Sequence, residues 1–119
     1  MNPIRILLID NNIGFLELVS DFLGSHEEVV VTGWAINEHD AVAQVVRQQP
    51  DVILLDIRMG DLSGLDLLPQ LRRKKMDLAI IILTMYDLDV YRQAARERGA
   101  DGYVIKKDIM IDLLPAIRA

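Results

Sequence analysis

Short apolar runs rich in Ile and Val alternate along the chain with longer stretches in which apolar residues recur every three or four positions, and the cycle repeats five times. The short runs are Ile4–Ile9, Val29–Ile36, Val52–Asp56, Leu78–Thr84 and Gly102–Lys106. In Ile6-Leu7-Leu8-Ile9, Val52-Ile53-Leu54-Leu55 and Ile80-Ile81-Ile82-Leu83 the apolar residues are consecutive, the pattern of strands covered on both faces. The longer stretches predict amphipathic helices on the stripes Phe15, Leu16, Val19, Phe22 and Leu23; Ala41, Val42, Val45 and Val46; Leu65, Leu68 and Leu71; and Leu113, Leu114 and Ile117. The fourth helix, about Leu88 to Arg98, offers only Val90, Ala94 and Ala95 as a stripe, so it is expected to pack weakly. Gly24, Pro50 and Gly99 punctuate helix ends.

Strands alternating with helices in this way form an α/β fold, a (βα)5 chain whose parallel sheet carries helices on both faces through right-handed crossovers. The common doubly wound, flavodoxin-like strand order for this length is 2-1-3-4-5, with strands 1 and 3 side by side at the centre. Ligands then bind beyond the carboxyl ends of the strands, where the winding reverses.

The chain has 119 residues, the usual size of one domain, and half of them are apolar. With no cysteine, disulfides, thiolate metal sites and cysteine nucleophiles are excluded. Thirteen basic against eighteen acidic residues give a net charge of −5, which argues against direct nucleic acid binding by this domain. The one dense basic cluster, Arg72-Arg73-Lys74-Lys75, is expected to be a solvated helix end. No apolar run approaches the roughly 18 residues of a membrane span, and the start shows no signal-peptide anatomy. A cytoplasmic protein without membrane contact is therefore expected.

The residues that follow the central strands carry the chemistry. Strand 1 ends in Asp10-Asn11-Asn12, strand 3 in Asp56, strand 4 in Thr84 and strand 5 in Lys106-Lys107. The 2-1-3-4-5 order brings these groups to one rim, with two carboxylates at the switch point, a hydroxyl to one side and an ammonium beyond it. Close carboxylates repel, and a hard divalent cation relieves the repulsion. Mg²⁺ takes oxygen ligands, keeps several waters, and commonly joins carboxylates to a phosphoryl group. A phosphoryl group on one carboxylate would then find Lys106 and Thr84 for the oxygens that the metal does not reach. Asn12 is expected to cap the first helix, Lys107 to be solvated, Trp34 to pack, and His26 and His39 to be exposed without a role.

These residues resemble the receiver domains of two-component response regulators over essentially the whole chain, 1–119. The resemblance rests on Ile9-Asp10-Asn11, on Pro50-Asp51-Val52-Ile53-Leu54-Leu55-Asp56-Ile57-Arg58-Met59, on Ser63-Gly64-Leu65, on Ile82-Leu83-Thr84 and on Gly99-Ala100-Asp101-Gly102-Tyr103-Val104-Ile105-Lys106, in order and at family spacing. It implies that Asp56 accepts a phosphoryl group from a sensor histidine kinase, and that Mg²⁺ is held by Asp10, Asp56 and the Arg58 backbone carbonyl, with Asn11 beside them. It implies that Lys106 pairs with Asp56 and then with the phosphoryl group. Thr84 and Tyr103 would move together, reshaping the surface of helix 4, strand 5 and helix 5. Such a domain is a switch, not an enzyme beyond its own phosphoryl transfer and dephosphorylation. The resemblance further points to a C-terminal helix-turn-helix, DNA-binding output domain outside this chain, to control of transcription, and to a possible homodimer.

Two positions depart from the family pattern. Asn11 stands where a second acid is usual and brings an amide oxygen without charge. Gly60 stands where proline is frequent, which loosens the loop carrying the Arg58 carbonyl. Both leave room for a second reading, an interaction module that keeps the fold but works without phosphate. A dinucleotide enzyme is disfavoured because Asn12-Ile13-Gly14 does not supply G-x-G-x-x-G after strand 1.

Overall fold

A computed structural model describes residues 2–59, 62–75 and 77–119. The expectation attached to Gly60 falls outside the described residues. The elements are β1 (Ile4–Ile9), α1 (Ile13–Gly24), β2 (Val29–Ala35), α2 (Glu38–Gln48), β3 (Val52–Leu55), β4 (Arg58–Met59), β5 (Leu62–Ser63), α3 (Gly64–Lys74), β6 (Ala79–Thr84), α4 (Asp89–Glu97), β7 (Gly102–Ile105), a 3₁₀ turn (Lys106–Asp108) and α5 (Ile109–Arg118).

The main sheet has the order β2-β1-β3-β6-β7 and its pairings are parallel. This is the expected 2-1-3-4-5 order of the five long strands. Alternate residues of the central strands point to opposite faces. Leu7, Ile9, Ile53, Leu55, Ile80 and Ile82 join α2, α3 and α4 in one core. Ile6, Leu8, Leu54, Ile81 and Leu83 join α1 and α5 in the other. That two-sided burial is why the central strands read as unbroken apolar runs.

The edge strand β2 slips register against β1. Ile6 pairs with Val31 but Leu7 with Gly33, and the extra residue, Thr32, returns its hydroxyl to the Ile6 carbonyl at 3.2 Å. Buried Gln44 of α2 donates to the Trp34 carbonyl at 2.5 Å and to Asp40 at 3.1 Å. Trp34 itself packs on the α1–α5 side, as expected, and its indole N–H donates to Ser20 Oγ at 2.8 Å.

Several expectations change. Arg58–Met59 and Leu62–Ser63 form a short antiparallel hairpin where a plain loop had been expected. Lys106 opens a 3₁₀ turn instead of ending a strand. In α4, Val90 is exposed, and the residues that reach the core are Ala95, with Tyr91 and Ala94 packed against it. Val46 of α2 is likewise exposed. The basic end of α3 is solvated at Arg73 and Lys74 but not at Arg72. The Arg72 guanidinium donates to the carbonyls of Leu78 and Gly99 and to Asp101 Oδ2, which also accepts from Ile80 N at 2.9 Å. Carbonyls on the chain entering the sheet need donors once they are out of water, and one guanidinium fork serves two of them. His26 is only half-buried, tilted against Phe22 with Nδ1 3.0 Å from the Phe22 carbonyl, whereas His39 is exposed.

Candidate functional site: an acid pair with a lysine at the sheet rim

The backbone ladder sets the carboxylates side by side. Beyond the last paired residues, Asp10 N donates to the Ala35 carbonyl at 3.0 Å and Asp56 N to the Ile9 carbonyl at 3.0 Å. Asp10 and Asp56 thus stand one step past the ends of adjacent central strands. Both are buried, at 4% and 7% exposure.

Lys106 reaches them from the far side of the sheet. Thr84 pairs with Ile105 across β6 and β7, so Lys106 follows at the same rim. Its Nζ lies 2.7 Å from Asp10 Oδ2 and 3.4 Å from Asp56 Oδ2. The ion pair therefore forms with both acids and is tighter at Asp10, whereas sequence reasoning had named Asp56 alone. The ring of Phe15 lies on the ammonium as well, with its centroid 4.0 Å from Nζ.

Each carboxylate is also tied to local backbone. Asp10 Oδ1 accepts from Asn12 N at 2.9 Å, and Asn12 Oδ1 caps α1 by accepting from Phe15 N at 3.0 Å. Asp56 Oδ1 accepts a long bond from Arg58 N at 3.4 Å. Burial, and then the negative charge of Asp10, push the Asp56 carboxyl above its ordinary range, against the opposing pull of Lys106, the Arg58 N–H and the Thr84 hydroxyl.

Thr84 is fully buried, and its Oγ1 accepts from Tyr86 N at 3.4 Å. Tyr103 donates its hydroxyl to the Tyr86 carbonyl at 2.6 Å. Its ring lies under Arg92, 4.7 Å from the guanidinium carbon, and Asp87 holds Arg92 at 2.8 Å. Thr84 and Tyr103 are therefore linked through one residue, Tyr86. Asn11 is exposed at the rim. Among the described residues no group of three His, Cys, Asp or Glu side chains is placed to hold a metal.

The donor set fits a hard divalent cation better than any softer metal. It consists of two adjacent buried carboxylates with raised proton affinity at Asp56, and it contains no nitrogen or sulfur donor. The rim lysine already serves part of that need as an internal cation. Phe15 and the Asp87–Arg92 pair were not singled out from sequence. Phe15 reads as part of the apolar stripe of the first helix, and no spacing rule marks a ring that will meet a lysine 91 positions away.

The parallel sheet in the order 2-1-3-4-5 with helices on both faces defines a flavodoxin-like α/β domain, with the acid pair and Lys106 at its rim. The chain belongs to the response regulator receiver domain family, whose model it matches over residues 6–118. It is 30% identical over 118 residues to the response regulator protein VraR of Staphylococcus saprophyticus, covering 98% of this chain and 56% of that protein. It is 33% identical over 115 residues to the DNA-binding transcriptional activator DevR/DosR of Mycobacterium tuberculosis, covering 97% of this chain and 53% of the relative. The chain thus spans about half the length of these relatives. A Burkholderia pseudomallei response regulator, solved with a phosphorylated aspartic acid, calcium ion and citrate, superposes with a TM-score of 0.86 at 27% identity over 95% of this chain and 65% of that one. Among the described residues no helix is long and apolar enough to cross a membrane.

Proposed function

We propose that this domain is a phosphorylation switch in which Asp56 accepts the phosphoryl group of a histidine kinase's phosphohistidine. The observation that carries this reading is the pair of buried carboxylates, Asp10 and Asp56, held at adjacent strand ends with Lys106 against both. An Asp56 carboxylate oxygen attacks phosphorus, the P–N bond breaks with its electron pair leaving to the imidazole, and an acyl phosphate remains. Lys106 neutralises a phosphoryl oxygen, and the Thr84 hydroxyl donates to another. Asp10, Asp56 and the Arg58 carbonyl would hold Mg²⁺, with Asn11 nearby, and the ion would supply charge neutralisation between the carboxylates and the phosphoryl oxygens. Thr84 and Tyr103, already joined through Tyr86, would carry the change to α4, β7 and α5. The phosphorylated aspartate of the Burkholderia pseudomallei regulator supports the assignment of this chemistry to the fold.

The output lies in a further domain. VraR and DevR/DosR, the second named a DNA-binding transcriptional activator, are about twice as long as this chain, which supports a C-terminal DNA-binding domain; a kinase partner and a cytoplasmic setting belong to the same reading. The domain itself acts as a switch and not as an enzyme on other substrates, and pairing of two copies belongs to the same reading.

Incubation with acetyl phosphate and Mg²⁺, followed by intact-mass measurement, is expected to show one added phosphoryl group in the native protein and none in Asp56→Ala. No adduct in the native protein would favour the second reading, a phosphate-independent interaction module, for which exposed Asn11 speaks. Replacing Asn11 by aspartate adds a charge beside the pair, so Asn11→Asp is expected to bind Mg²⁺ about tenfold more tightly. Isothermal calorimetry on both proteins measures this, and equal affinities would show that position 11 does not reach the metal.

A further inference from the structure

We propose that Phe15 is a positioning residue for phosphorylation, holding the Lys106 ammonium over the acid pair through the face of its ring. This rests on the reading of Asp56 as phosphoacceptor. A lysine ammonium has three N–H donors and a flexible four-carbon stem. Here two directions are taken by Asp10 Oδ2 at 2.7 Å and Asp56 Oδ2 at 3.4 Å. The Phe15 ring, its centroid 4.0 Å from Nζ, takes a third side. That distance lies well inside the roughly 6 Å range of a cation–π contact, and such contacts strengthen when water is excluded. The Lys106 side chain is only 14% exposed.

The ring is not free to wander. Phe15 is the residue whose backbone N–H is received by the cap Asn12, and Asn12 N in turn donates to Asp10 Oδ1. One chain of bonds, Asp10 to Asn12 to Phe15, therefore ties the backbone that carries the ring to a carboxylate partner of Lys106. Phe15 also shares a crevice with Asp10, Asp56, Leu54 and Leu83 and packs against the α1–α5 core.

The choice of an aromatic face has a chemical sense. A third carboxylate at this place would bind the ammonium more strongly and hold it away from an incoming phosphoryl oxygen. An aliphatic side chain would leave the lysine to its own rotamers. A ring attracts the cation without a hydrogen-bond acceptor or a titrating group, so Lys106 stays at the rim while its N–H donors pass from carboxylate to phosphoryl oxygen.

The test has two arms. In the unphosphorylated protein, the Lys106 ε-methylene protons are expected to show an upfield ring-current shift by NMR that vanishes in Phe15→Leu. This arm reads the contact whether or not Asp56 is phosphorylated. In the second arm, phosphorylation by acetyl phosphate with Mg²⁺ is expected to slow roughly five- to tenfold in Phe15→Leu and to recover in Phe15→Tyr, which keeps the ring. In a Lys106→Ala background the leucine substitution is expected to have no further effect on rate. An unshifted Lys106, a Phe15→Leu rate equal to native, or an undiminished loss in the Lys106→Ala background would overturn the proposal. A native protein that takes no phosphoryl group would overturn the phosphoacceptor reading, with the NMR arm still deciding the contact.

Discussion

Gly64→Ala is expected to destabilise the domain by about 2 to 4 kcal/mol. Gly64 opens α3 directly after the hairpin, and its N–H donates to the Ile57 carbonyl at 2.5 Å. A Cβ built on it would lie 1.9 Å from the carbonyl oxygen of Asp56 and 3.1 Å from the Ile57 Cα. Both obstacles are backbone, so no rotamer change relieves the clash. Either α3 moves out or the chain through Asp56 moves over, and the second displaces the carboxylate from Lys106 and Asp10. Urea denaturation of native and variant proteins is the direct measurement, with a lower midpoint and an unchanged slope as the expected outcome. A midpoint equal to that of the native protein would mean that the helix start does not press on Asp56. Because the strain falls on the site itself, phosphorylation of any folded Gly64→Ala protein is expected to slow as well.

Asp56→Asn carries the second large effect, on stability and its pH dependence. Burial and the neighbouring Asp10 raise the Asp56 carboxyl above its ordinary value of 3.8. A raised acid binds its proton more tightly in the folded than in the unfolded chain, so its ionisation opposes folding. The penalty is complete at neutral pH and disappears as pH falls from the folded value toward 3.8. Asparagine keeps the shape, removes the charge, and leaves the 2.7 Å Lys106–Asp10 pair in place. In chelator-treated buffer at neutral pH the variant is expected to be more stable than the native protein by roughly 1 to 2 kcal/mol. The gap should close as pH falls through the mildly acid range, and Mg²⁺ should narrow it by stabilising the native acid pair. Thermal unfolding across a pH series measures both. A variant less stable than the native protein at neutral pH would show that Lys106 more than compensates for the buried charge.

The legibility of this fold from sequence follows burial. β1, β3 and β6 are covered on both faces, so Ile6–Ile9, Val52–Leu55 and Ile80–Leu83 announce themselves as unbroken apolar runs. The site was legible for the same reason, since Asp10, Asp56 and Thr84 are the polar residues that end those runs. Elements whose form depends on distant contacts were not. A hairpin with two residues per strand has no periodicity to read. In α4 the residue that turns inward is the tyrosine at position 91 and not the valine at 90, because the helix begins at Asp89 and the core side is set by Ala95. Arg72 sits in a run of cations that reads as a solvated helix end until the carbonyls of Leu78 and Gly99 arrive beside it. The preference of Lys106 for Asp10 and its seat on Phe15 are likewise products of the closed fold.

The N-terminus of α4 carries no side-chain cap, and Ala95 is the one α4 residue fully inside the core among those described. An element held by so few core contacts belongs to the low-stability end from which moving elements are drawn. A free-energy bias of about 1.4 kcal/mol multiplies a population ratio by ten, which is within the worth of one hydrogen bond to a charged group. If Thr84 and Tyr103 act as the proposed switch, a single new bond at the rim is of the size that would shift this helix.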